Sequence, residues 1–104
     1  MTNHVLEIAR ITLLDGVTEA DLLAASTTFQ ADFVAHQPGF ISRKLVRTGD
    51  GGFADVIEWE TPEAAQAVMA AAKGSPAAGA FFALMDFSEG IAGGVDHFTI
   101  LQSN

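Results

Sequence analysis

The chain has 104 residues, 49% of them hydrophobic and 17% charged, so it is expected to form one ordered α+β domain over 1–104 and is not a disordered segment. A domain this small has little interior, and so much apolar content implies that part of it is buried against a second subunit. The formal charge of −8 repels phosphate backbones and anionic headgroups, so neither nucleic acid nor a membrane surface is an expected partner.

Cysteine is absent, which removes disulfides, thiolate nucleophiles and thiolate-bound metals, and fits a reducing, cytoplasmic location. The N-terminal residues carry no basic stretch followed by an apolar one, and no uncharged apolar run reaches the ~18 residues of a membrane span. Tyrosine is absent as well, so there is no phenol to act as proton donor or radical site.

Val5 to Leu14 is an apolar-rich run ending at Asp15-Gly16 and reads as strand 1. Thr18 is a helix cap, and Glu19 and Asp21 suit the positive end of the helix dipole. Leu22, Ala25, Phe29, Phe33 and His36 then recur at helical spacing, so a helix is predicted over 18–36, stopped by Pro38-Gly39. Strand 2 is predicted over 40–48, with a hairpin at Gly49-Asp50-Gly51-Gly52. Strand 3 runs from Phe53 to Glu60. Its alternation puts Phe53, Asp55, Ile57 and Trp59 on one face and Ala54, Val56, Glu58 and Glu60 on the other.

Thr61-Pro62-Glu63 starts a second helix that stops at Lys73-Gly74. Ser75-Pro76 starts a third helical segment reaching about Met85. A loop over 86–94 leads to strand 4, from Val95 to Leu101. The order β-α-β-β-α-β gives a ferredoxin-like sandwich with an antiparallel four-stranded sheet covered by helices on one face. Large apolar residues on both faces of strand 1, such as Val5 and Ile11 against Leu6 and Ile8, predict a symmetric homodimer packed sheet on sheet.

Gln37-Pro38-Gly39-Phe40, a Gly-rich hairpin, the run Val56-Ile57-Glu58-Trp59-Glu60-Thr61-Pro62-Glu63-Ala64-Ala65 and the later Gly74-Ser75-Pro76 give the chain a familiar outline. It resembles the antibiotic biosynthesis monooxygenase family of dimeric α/β barrels over nearly its whole length. That resemblance implies fold more than activity, because the scaffold hosts cofactor-free oxygenases, haem degraders, isomerases and proteins without known activity. In quinone-forming members an Asn and a Trp four apart on the third strand contact the substrate. The matching positions here are Asp55 and Trp59, so the Trp is kept and the amide is replaced by an acid. The Tyr those members use is missing. Haem-degrading members use a Trp inside the second helix and a nearby His, and here Val68 and its neighbours stand in that region. The resemblance therefore implies a reaction without a cofactor more readily than haem breakdown.

The candidate site follows from these residues. Trp59 either stacks on an aromatic substrate or closes one end of the core. Asp55, on an apolar face, is either a base of raised pKa or the partner of an Arg from a neighbouring strand. His97 is either a general base or a hydrogen-bonded structural residue at the subunit interface. Four of the five basic residues, Arg10, Arg43, Lys44 and Arg47, lie on strands 1 and 2. They either hold an anionic substrate or pair with Glu7, Asp55, Glu58 or Glu60. Three scattered histidines lack ligand spacing, so no metal site is expected.

Two functions are carried forward. One is a cofactor-independent, monooxygenase-like enzyme acting on a small apolar, aromatic or polyketide-like molecule, in a pocket lined by Phe29, Phe33, Trp59, Phe81 and Phe82. There His97 or Asp55 removes a proton and Arg10 or Arg43 stabilises the anion. The other is a non-catalytic homodimer that binds a small ligand or a partner.

Overall fold

A computed structural model describes residues 3–88 and 94–104. It contains β1 (Val5–Ile11), α1 (Glu19–Asp32), a 3₁₀ turn (Val34–His36), β2 (Phe40–Arg47), β3 (Phe53–Trp59), α2 (Pro62–Ala72), α3 (Pro76–Phe82) and β4 (Val95–Thr99). The strands form one antiparallel sheet in the order β2-β3-β1-β4. This is the α+β, ferredoxin-like arrangement that the element order predicts.

Local chemistry fixes where the helices begin. Thr18 accepts from the Asp21 amide while the Asp21 carboxylate accepts from the Thr18 amide, a reciprocal capping box at the start of α1. Thr61 and Ser75 each accept from an amide three residues on, and each is followed by a proline whose fixed φ suits the first helical position.

The predicted helix over 18–36 is interrupted. Phe33 leaves the helical region (φ −130°, ψ −66°) and the chain tightens into the 3₁₀ turn ahead of Pro38. His36 is therefore exposed and is not part of the apolar stripe, whereas Val34 is buried. Strand 1 ends at Ile11 and not at Leu14. The segment beyond it pairs with the end of α3 instead: the Leu14 amide donates to Leu84 (3.0 Å) and the Asp86 amide to Thr12 (2.8 Å). The last helix stops at Phe82 rather than Met85, and β4 stops at Thr99, leaving Leu101 exposed. The predicted loop over 86–94 lies partly outside the described residues.

Gly39 shows why Pro-Gly-Phe stands between α1 and β2. Its φ is +82°, and a Cβ there would fall 2.6 Å from the Cβ of Ala64 in the first turn of α2. Its carbonyl accepts from the Glu60 amide at 2.8 Å, tying the two halves of the fold together at the end of β3.

The register decides which side chains meet. Glu7 pairs with Ile57 on one side and with His97 on the other, so Val5, Glu7, Ala9, Ile57, Asp55, Trp59 and His97 belong to the helix-facing side. Between β2 and β3, Phe40 pairs with Trp59 but Ser42 pairs with Glu58, so Ile41 is an extra residue and the ladder is bulged. Beyond the bulge Arg43 pairs with Ile57 and is turned toward the helices. The core between sheet and helices is closed by Leu22, Phe29, Val34, Trp59, Ala78 and Phe81, each at most 4% exposed. The opposite sheet face carries Leu6, Ile8, Ala54, Val56, Val46 and Phe98, with Phe98 half-exposed.

Candidate functional site

A cavity of about 450 Å³ lies between the sheet and the three helices. That is within the usual range for small-molecule sites. Its floor is Glu7, Ala9 and Ile11 from β1 with Asp55, Ile57 and Trp59 from β3. Phe29 of α1 and Phe33 just past its end, Val68, Met69 and Ala72 of α2, and Phe81 and Phe82 of α3 form the walls, and Asp86, Phe87, Ser88, Gly94 and Val95 border it as well. The five aromatics anticipated from the sequence all line it. The rings form a continuous set: Phe29 stacks on Phe81 at 4.5 Å and on Phe33 at 5.6 Å, and Phe82 meets Phe29 edge-on.

Polar groups enter this apolar space at a few points. Asp55 is buried and lines the cavity; Arg43 is not among the lining residues, but its Nη2 lies 2.9 Å from Asp55 Oδ1, both side chains being almost fully covered. The alignment is poor for a hydrogen bond, so Asp55 Oδ1 and Arg43 Nε and Nη2 lack a well-directed partner. The Arg43 guanidinium is held instead over the faces of Phe29 and Phe81, 5.0 and 5.3 Å from the ring centroids. Burial pushes the Asp55 carboxyl up from 3.8 to about 6, against the pull of Arg43 and with a smaller push from the charge of Glu7. Of the two readings of Asp55, the ion pair with a neighbouring Arg is present, and the raised pKa accompanies it.

Trp59 is fully buried and its Nε1–H has no partner in hydrogen-bonding geometry, although Glu7 is close by. Glu7 is 7% exposed, and its Oε1 lies 3.1 Å from His97 Nε2. Burial raises the Glu7 pKa, opposed by His97 and more weakly by the Trp59 N–H. A buried N–H and a buried carboxylate oxygen left open beside a cavity are groups that a bound molecule would satisfy.

The remaining predicted residues are placed elsewhere. His97 is not among the lining residues. Its half-exposed ring reaches the cavity only through Glu7. Arg10 borders the cavity, but its guanidinium is held by Asp96 at 2.6 Å and is more than half exposed, so it is not aimed at a bound molecule. Arg47 pairs with Glu19 of α1, and Lys44 is exposed. Sequence reasoning missed Glu7 as a cavity residue. The signal was present, since Glu7 alternates in phase with Val5 and Ile11 on the buried face of β1. Among the described residues no cluster of three or more His, Asp or Glu side chains has the arrangement of a metal site.

No family model and no curated protein matches the chain. Solved structures do. The cofactor-independent oxygenase SnoaB from Streptomyces nogalater superposes with a TM-score of 0.69 at 25% identity, over 98% of this chain and 97% of that one. The chain shares the fold of the antibiotic biosynthesis monooxygenase-like proteins. A protein from Bordetella bronchiseptica, named as a candidate antibiotic biosynthesis monooxygenase, gives a TM-score of 0.67 at 19% identity, over 97% of this chain and all of that one. A heme-degrading protein from Mycobacterium tuberculosis gives 0.63 at 24% identity, over 100% and 98% of the two chains. At these identities the last two speak for the monooxygenase-like fold alone.

Proposed function

We propose that the chain is a cofactor-independent oxygenase that takes a small, flat, acidic carbon compound of the aromatic or polyketide kind. The observation that carries this reading is a buried carboxyl, Asp55, raised to about 6 and set in the floor of an aromatic-walled cavity. A base whose pKa lies just below neutrality is both largely ionised and strong enough to take an acidic C–H proton. Arg43, buried beside it, lowers the energy of the anion formed. For an anthrone-type methylene, Asp55 removes one proton and leaves the electron pair on carbon. Dioxygen accepts electrons from that carbon and forms a C–O bond. Loss of water from the resulting hydroperoxide leaves a carbonyl, so that R₂CH₂ and O₂ become R₂C=O and H₂O.

SnoaB, a cofactor-independent oxygenase, supports this reading by its likeness over nearly the whole chain. The polar groups lining the cavity also support it: they include carboxylates and no imidazole among the described residues, a set suited to proton transfer more than to holding haem iron. The test is stopped-flow absorbance and oxygen uptake with an anthrone-type substrate. Oxygen-dependent quinone formation that is lost in Asp55→Asn is the expected result. Equal rates in the two proteins would overturn it.

A second reading, a small-ligand-binding protein without catalysis, is favoured by one observation. Asp55 stands where the resemblance implies an Asn, and the chain has no Tyr. Trp59 is the only tryptophan and lines the cavity, so its fluorescence reports occupancy directly. Saturable quenching by the same anthrone with no oxygen uptake would favour this second reading.

The outer sheet face supports a second copy of the chain as partner. Leu6, Ile8, Val46, Val56 and Phe98 form an apolar surface that no helix among the described residues covers, and a second copy packed sheet to sheet would bury it.

A further inference from the structure

The oxygenase reading uses Asp55 and Arg43 and leaves a second buried acid unexplained. We propose that Glu7 is the other acid–base group of the cavity, and that His97 links it to solvent. This deepens the oxygenase reading and rests on it.

The geometry has three parts. Glu7 lines the same cavity as Asp55, two residue pairs along the β1–β3 ladder and so on the same face, with Ala9 opposite Asp55 and Glu7 opposite Ile57. Its Oε1 is bonded to His97 Nε2, and the His97 ring is 43% exposed on its other side. The Trp59 N–H, left without a partner, stands beside it. A buried carboxyl with a direct hydrogen bond to a solvent-facing imidazole is an arrangement for exchanging a proton between an enclosed site and water. The charged groups around Glu7 are Arg10 on β1, which is held by Asp96, Asp55 on β3, Arg43 beyond it on β2, His97 on β4 and Asp86 after α3. No charged residue of α1, α2 or α3 lines the cavity. Burial favours the protonated form of Glu7, and His97 and, more weakly, the Trp59 N–H oppose it.

The chemistry needs a second such group. After Asp55 has taken the first C–H proton, oxygen addition leaves a C–O–O⁻ group whose terminal oxygen must be protonated. Glu7 in its acid form supplies that proton and becomes a carboxylate. In the next step Glu7 takes the second C–H proton, the carbon–oxygen double bond forms and the O–O bond breaks. The departing hydroxide takes the proton held by Asp55 and leaves as water. Two protons leave carbon and two appear in water, so atoms and charge balance overall; turnover starts only when Glu7 is in its acid form, and His97 sets how fast that form is restored from solvent whenever Glu7 has lost its proton. His97, with its hydrogen on Nδ1, accepts from Glu7 at Nε2 and releases to solvent, and the reverse path reloads Glu7.

The experiment is oxygen uptake with an anthrone-type substrate in wild type, Glu7→Gln and His97→Ala, with circular dichroism to confirm folding. Glu7→Gln keeps the shape and a hydrogen-bonding group toward His97. It should lower kcat about a hundredfold with KM little changed. His97→Ala should be slowed less and recover with added imidazole, whereas Glu7→Gln should not recover. An undiminished rate in Glu7→Gln, or a slowed His97→Ala that imidazole fails to restore, would overturn the assignment while leaving Asp55 as base. A wild-type protein that consumes no oxygen would remove the oxygenase reading, and the role of Glu7 would fall with it.

Discussion

The raised pKa of Asp55 makes a prediction about stability that does not depend on knowing a substrate. The carboxyl titrates at about 6 in the folded chain and at about 3.8 when unfolded. At roughly 1.4 kcal/mol per pKa unit, keeping Asp55 ionised in the fold costs about 3 kcal/mol relative to the protonated form. The sign follows from the raised value. Between pH 4 and pH 6 the folded chain holds a proton that the unfolded chain has released, so this contribution is present below pH 4 and is lost as pH rises through 6. Asp55→Asn lacks the titration. It leaves Arg43 buried without a counter-charge, a loss that is largely independent of pH over this range. The difference in unfolding free energy between wild type and Asp55→Asn, measured by urea unfolding at pH 4 and pH 7, should therefore shift by about 2 kcal/mol in favour of the variant at the higher pH, since the unfolded carboxyl is already half-ionised at pH 4. A difference that stays constant across the range would refute the argument that burial dominates at Asp55.

Two further predictions concern the scaffold. Gly39→Ala places a Cβ at 2.6 Å from that of Ala64 and on a left-handed backbone, so it should lower stability by about 2 kcal/mol or more, read as a drop in thermal midpoint. Sedimentation should give a dimer for the wild type at micromolar concentration and a monomer for Ile8→Glu, because a charge at the centre of the bare sheet face cannot be buried unpaired. A monomeric wild type would sink the subunit packing argued for that face.

Much of the scaffold was legible because its signals are local. The alternation through Phe53, Asp55, Ile57 and Trp59 put a carboxylate and an indole on the buried face of β3, and the structure has them there. The caps at Thr18, Thr61 and Ser75 start the helices as read. What was not legible depends on distant pairing. The four clustered bases looked like one patch, but register scatters them. Arg10 turns to Asp96 on the outer face, Arg43 to Asp55 in the interior and Arg47 to Glu19 on a helix. The break at Phe33 comes from the approach to Pro38 and from a tightened last turn, which the apolar spacing alone does not reveal. His97 looked like a base because an imidazole titrates near neutrality and this one sits mid-strand beside Asp96 and Phe98. Only the pairing with Glu7 shows that it meets a carboxylate before it meets a cavity.

The bulge at Ile41 carries a consequence for how such a site arises and is lost. Counting back along β2 without the extra residue would set Arg43 opposite Val56 and send its guanidinium out with the solvent-side residues, leaving Asp55 without its cation. The chemistry of this fold is thus governed at that point by chain length as well as by residue type. Straightening the ladder with Ile41 retained would disarm the interior while leaving every named side chain in the sequence, whereas deleting Ile41 would keep Arg43 opposite Ile57. Homologous sequences aligned without a gap at that step would appear to keep an arginine that in fact points the other way.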